Sequence, residues 1–92
     1  MVNVLAATQR HLSANFARCG PEAAWDDVRH QRGPTGSPRL EGVFAVLECT
    51  VEHCLPSGDH EIVVGLVRHA ETGATLAGPL VFVRGGYASL AC

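Results

Sequence analysis

Apolar and polar residues alternate in Val2-Asn3-Val4-Leu5, which predicts a short strand at the head of the chain. From about Ala7 to Ala17 the residues are good helix formers, and Leu5, Leu12 and Phe16 recur at helical spacing, so one helix with a narrow apolar stripe is expected. It should stop near Cys19-Gly20-Pro21, where glycine can cap and proline cannot continue. Pro21 then opens a short second helical turn through Glu22 to Val28, with Trp25, the only tryptophan, as a packing anchor. Gly33-Pro34-Thr35-Gly36-Ser37-Pro38 defeats both helix and strand, which predicts a loop over Arg29 to Arg39.

Beyond this loop the period falls to two. In the run from Gly42 to His53, Leu47, Cys49 and Val51 share one side while Glu48, Thr50 and Glu52 share the other, so its second half should face water on one side. Leu55 to Asp59 is a turn, joining that run antiparallel to a β-branched strand from His60 to about His69. Glu71-Thr72-Gly73-Ala74 is the next turn, and Pro79 to Arg84 the third strand of this group. Successive strands behind one or two helices predict a mainly β protein built as a small antiparallel barrel.

With 92 residues the chain is one domain or part of one, and a first strand at Met1 has no preceding element to set it in place, so the domain looks cut. The longest apolar run, Val43 to Leu47, is far below the roughly 18 residues that cross a bilayer, so no membrane association is expected. No secretory leader is visible, which makes the cytoplasm the default location. Seven cationic side chains, all arginine, against nine acids give a net charge of −2 and no basic field for nucleic acid. Cys19, Cys49, Cys54 and Cys92 contain no CxxC pair, and His53 and Cys54 point to opposite faces of a strand; no metal site is expected, and most thiols should be buried and reduced.

No Gly-x-Ser-x-Gly elbow, phosphate loop or dinucleotide fingerprint is present, which removes support for hydrolysis and nucleotide-driven work. Glu48 and Glu52 read as a solvated acidic face rather than an acid/base pair. His11 and His30 read as surface groups, and His53 and His69 as flanking strand ends. His60 differs, because Gly58-Asp59 turns the chain directly into Ile62-Val63-Val64 and fixes the ring at the mouth of a rigid strand. That position suits a residue meeting a ligand in one orientation, and equally one that closes a turn.

Val2-Asn3-Val4-Leu5-Ala6 followed by Gln9, Leu12, Ser13, Phe16 and Ala17 resembles the strand-helix segment of the flavin reductase-like family. The similarity continues in order through Trp25, Gly36, Pro38, Leu40, Gly42, Ala45, Leu47-Glu48-Cys49, Gly58-Asp59-His60, Val64-Gly65, Val67, Pro79-Leu80, Gly86-Tyr87 and Leu90. Gly58-Asp59-His60 with the Val-Gly strand behind it is the most specific element.

This resemblance implies an FMN-binding split barrel of antiparallel Greek-key type, here incomplete, because family members carry an N-terminal portion ahead of this first strand. It implies a homodimer that passes hydride from NADH or NADPH to FMN or FAD for a partner flavin-dependent monooxygenase. It also implies that Asn3, Ser13, Phe16 and Ala17 line the flavin, that His60 faces the nicotinamide, and that Tyr87 closes the pocket. A non-catalytic remnant or assembly module of the same fold is the alternative, and a zinc-binding module a distant third.

Overall fold

The computed structural model describes residues 1–18, 25–88 and 90. Strand β1 (Val2–Val4) leads through a 3-10 turn (Ala7–Gln9) into helix α1 (Arg10–Arg18). Then come β2 (His30–Arg32), β3 (Pro38–Leu40), the long β4 (Ala45–Ser57) and β5 (His60–Thr72), and the short β6 (Val81–Val83) and β7 (Gly86–Ala88). They form a three-stranded sheet in the order β1-β4-β5 and two antiparallel hairpins, β2-β3 and β6-β7.

The expected helix stop and most of the second helical turn lie outside the described residues. Trp25 to Asp27 forms a turn instead, closed by the Val28 amide donating to the Trp25 carbonyl at 3.2 Å, with Asp27 at φ 59. The segment Arg29 to Arg39 is not all loop, since His30 pairs with Leu40 and Arg32 with Pro38. Three-residue strands show no alternation to read, and Pro38 is tolerated as the first residue of an edge strand.

β4 and β5 are longer than their sequence pattern suggests, pairing from Ala45↔Thr72 to Ser57↔His60. The turn between them shrinks to Gly58-Asp59, with Gly58 at φ 62 in the position that a two-residue hairpin turn reserves for glycine. Two register shifts, at Glu48/Cys49 and at Val51/His53, leave Arg68 and Glu52 as unpaired extra residues. Side chains of directly paired residues share a face. One face therefore carries Asn3, Val46, Glu48, Thr50, His53, Leu55, His60, Ile62, Val64 and Leu66, and the other carries Val2, Leu47, Cys49, Val51, Cys54, Val63 and Val67.

The core lies over the base of the first face. Val28, Leu40, Val43 and Val46 are buried, with Met1, Leu5, Leu12 and Trp25 packed against them. Leu5 and Leu12 thus act as the apolar stripe predicted, while Phe16 is 37% exposed and meets Trp25 edge-on at 5.1 Å. Two side-chain amides fasten this core. Gln9 accepts from the Ala6 amide at 3.0 Å and donates to the Glu41 carbonyl at 2.7 Å. Asn3 accepts from the Leu40 amide at 2.9 Å and donates to the Pro38 carbonyl at 3.1 Å, binding β3 across the sheet.

The last predicted strand is split: the Leu80 amide donates to the Leu5 carbonyl, and β6 turns back through Arg84 (φ 52) and Gly85 (φ 74) into β7. Positive φ at both central residues is the two-residue hairpin geometry, and arginine at the first of them hid this turn.

Candidate functional site

Arg10, Ser13 and Ala17 fall on one side of α1, at i, i+3 and i+7. β7 brings Tyr87 to that side, where its hydroxyl donates to Ser13 Oγ at 3.0 Å, joining residues 74 positions apart. The Arg10 guanidinium stands 5.0 Å from the centre of the Tyr87 ring, and Phe82 meets the ring edge-on at 5.2 Å. A cleft of about 200 Å³ opens beside them, lined by Ala7, Arg10, Leu80, Tyr87 and Ala88. Ala17 is exposed on the helix. Arg10 is the participant that sequence reading passed over; its helical spacing from Ser13 was the available signal.

His60 stands at the tip of the β4-β5 arm with 81% of its side chain exposed, and its Nδ1 lies 2.5 Å from Asp59 Oδ1. That pairing occupies Nδ1 and leaves Nε2 without a hydrogen-bond partner among the described residues. No hydrogen bond or ring contact among the described residues joins His60 to the Ser13–Tyr87 pair. Asn3 is elsewhere again, with both amide atoms engaged by β3. His53 and His69 lie within β4 and β5 rather than at their ends.

Glu48 departs most from its expected role, being 4% exposed rather than solvated. It shares a face with Val46, and the turn after β2 folds over it so that both the amide and the hydroxyl of Thr35 donate to Oε1. It also lines a cavity of about 260 Å³ with His69 and with the Arg39–Glu71 ion pair. The Thr35 hydroxyl, then its amide, and the nearby His69 hold the Glu48 carboxyl below the usual glutamate range, outweighing the opposing effect of burial. A carboxylate whose folded value is depressed adds stability that is present above the unfolded value of about 4.3 and is lost as pH falls through the folded one. Glu48→Gln, which keeps an acceptor for Thr35, should therefore flatten the acid limb of the unfolding midpoint below about pH 5. Parallel acid limbs for the two proteins would show that Glu48 does not contribute.

The thiols correct a second expectation. Cys49 is half-buried and Cys54 exposed, both free, while Cys19 and Cys92 lie outside the described residues. No cluster of three metal-ligating side chains occurs among the described residues.

The flavin reductase like domain matches residues 1–91. The chain belongs to the flavin reductase-like family. It is 36% identical over 90 residues to the reductase subunit HsaB of a flavin-dependent monooxygenase from Mycobacterium tuberculosis, covering 97% of this chain and 48% of that protein. It is also 36% identical over 92 residues to the NADH-dependent FMN reductase AsuE2 of Streptomyces nodosus subsp. asukaensis, covering 97% of this chain and 50% of the relative. Among solved structures, a homolog of nitrilotriacetate monooxygenase component B from Mycobacterium thermoresistibile superposes with a TM-score of 0.85 at 31% identity, over 97% of this chain and 50% of its own. The chain thus spans about half the length of these flavin reductase-like proteins, and its unclosed sheets are those of an incomplete split barrel. No described helix is long and apolar enough to cross a membrane.

Proposed function

We propose that this chain carries the C-terminal half of an NAD(P)H:flavin oxidoreductase site, which passes hydride from NADH or NADPH to FMN or FAD for a partner flavin-dependent monooxygenase. The Ser13–Tyr87 hydroxyl pair with Arg10 at its edge carries this reading. Two hydroxyls, a cation and the partly exposed ring of Phe16 suit a ligand with a polar heterocyclic edge, an apolar ring body and a phosphate. The cleft of about 200 Å³ is smaller than the roughly 300 Å³ at which ligand sites begin, so the chain supplies one wall.

A bound flavin supplies the hydride-accepting chemistry. Ser13 and Tyr87 hydrogen-bond its polar edge, Phe16 and Ala17 pack against its ring, and Asn3 contributes by holding β3 in place. Asp59 fixes the His60 ring so that Nε2 meets the nicotinamide donor, which orients the donor and needs no proton transfer from the protein. The working protein is a cytoplasmic homodimer.

In the flavin-reducing assembly His60→Asn should raise KM for the nicotinamide about tenfold, the loss of one hydrogen bond, with KM for flavin within about twofold. Unchanged nicotinamide kinetics would remove His60 from the site. The second reading, a non-catalytic assembly module, draws on the separation of His60 from the hydroxyl pair.

A further inference from the structure

Phe16, Trp25 and His30 form a run of rings, with Trp25 5.1 Å from Phe16 and 4.8 Å from His30. Helix α1 supplies the first ring, the turn closed at Val28 the second and β2 the third. At its His30 end the run opens into a pocket of about 190 Å³ lined by Trp25, His30, Arg32, Gly36 and Pro38. A cavity of about 150 Å³ holds a benzene ring, so this pocket has room for one planar ring system. The β2-β3 hairpin shapes it. His30 and Arg32 stand two residues apart on β2 and Pro38 is the direct partner of Arg32, so the three side chains share a side. Gly36, at φ 90, puts no side chain beside them; the nearest atom to a Cβ there would be an Arg32 guanidinium nitrogen, 4.0 Å away. His30 Nδ1 lies 2.9 Å from the Val28 carbonyl, which can only accept, so Nδ1 carries the proton of the neutral ring and Nε2 is an acceptor with no partner among the described residues. Arg32 forms no ion pair among the described residues, since the two acids that share a neighbouring cavity with it are engaged elsewhere, Glu48 by Thr35 and Glu71 by Arg39 and His69.

Aromatic faces, an open acceptor and an unpaired guanidinium, with no carboxylate among the lining residues, fit a planar base that carries an amino group and a phosphate. We infer that this pocket takes the adenosine phosphate end of a dinucleotide, with the base against Trp25 and His30, its amino group toward Nε2 and its phosphate on Arg32. The choice of base rests on the proposed function, because adenosine phosphate is the end that FAD and NAD(P)H share and FMN lacks. The other end of the ring run, Phe16, belongs to the wall given to the flavin, which places the two ends of one ligand along one line of aromatic side chains. Arg32 and His30 thereby set a preference for dinucleotides over mononucleotides.

Trp25 is the only tryptophan, so its fluorescence reports on the pocket directly. AMP titrated into the full chain should quench that emission saturably with no flavin or nicotinamide present. Arg32→Ala should weaken AMP at least about tenfold, the loss of a charge-assisted hydrogen bond, and leave adenosine within about twofold. Arg68→Ala removes a cation from β5, away from the pocket, and should leave AMP within about twofold. His30→Ala should weaken both ligands at least about fivefold, and His30→Phe, which keeps a ring, should recover most of that loss. His30 and Arg32 are both exposed, so the variants should keep the circular dichroism of the parent. In the flavin-reducing assembly Arg32→Ala then identifies the source of the adenosine. The Kd for FAD relative to FMN rises at least about fivefold if the flavin's end is held, and the Kd for NADH relative to reduced nicotinamide mononucleotide does so if the donor's is. AMP that does not bind would overturn the inference, as would equal weakening of AMP and adenosine by Arg32→Ala, or two Kd ratios that both stay fixed. These readouts are binding constants, so an assembly that shows them without transferring hydride would remove the proposed function and leave the pocket in place.

Discussion

Gly73→Ala is expected to cost about 3 kcal/mol or more, enough to unfold much of a domain whose total stability is roughly 5 to 15 kcal/mol. Gly73 follows β5 where its amide donates to the Phe44 carbonyl at 2.7 Å, and it lies so close to the preceding strand entry that an added Cβ would run into the Val43 carbonyl oxygen. That neighbour is backbone, and Val43 is a core residue at 3% exposure, so neither side can yield without moving the core. The urea midpoint of the variant against the parent measures the effect. Gly78→Ala is the matched control, since nothing lies within 4 Å of a Cβ there, and it should change stability by less than about 0.5 kcal/mol. Equal midpoints for Gly73→Ala and the parent would mean that β5 leaves the core by another route.

Gln9→Leu should cost about 2 to 4 kcal/mol, although it places an apolar residue in a buried position. Gln9 is 8% exposed, and its two amide atoms satisfy the amide of fully buried Ala6 and the carbonyl of Glu41. Leucine fills the space and leaves the Ala6 amide without a partner, the expensive outcome for a buried donor. Gln9→Glu separates the two bonds, because a carboxylate still accepts from Ala6 but turns an oxygen toward the Glu41 carbonyl. Its loss should grow as pH rises above about 4.3, where the unfolded chain ionises while burial and the facing carbonyl keep the folded carboxyl protonated. Unfolding midpoints across pH read both variants; a leucine variant as stable as the parent would show that water replaces the lost bonds.

The periodic signals found the parts that a period can encode. β4 and β5 announce themselves through β-branched residues around the Gly58-Asp59 turn, and α1 through Leu12 and its helix formers. What escaped depends on single residues acting against their usual preference. Arg84 adopts a left-handed conformation, the three-residue β2 offers too few positions to alternate, and an unpaired residue at Glu52 shifts the register within β4. Glu48 was read as solvated because a carboxylate on a strand is usually so; its burial depends on Thr35, 13 positions earlier, which no local pattern links to it. Among the candidate site residues, Ser13 and Tyr87 meet, a contact between chain ends that only the family resemblance brought into view.

The most direct measurement of the central proposal is flavin-dependent NADH consumption, followed at the nicotinamide and flavin bands with FMN added to the flavin-reducing assembly that contains this chain. NADH loss that requires flavin is expected, with flavin retained on the assembly and weaker retention when Ser13→Ala is combined with Tyr87→Phe. An assembly that neither retains flavin nor consumes NADH would contradict the proposal and leave the assembly-module reading in its place.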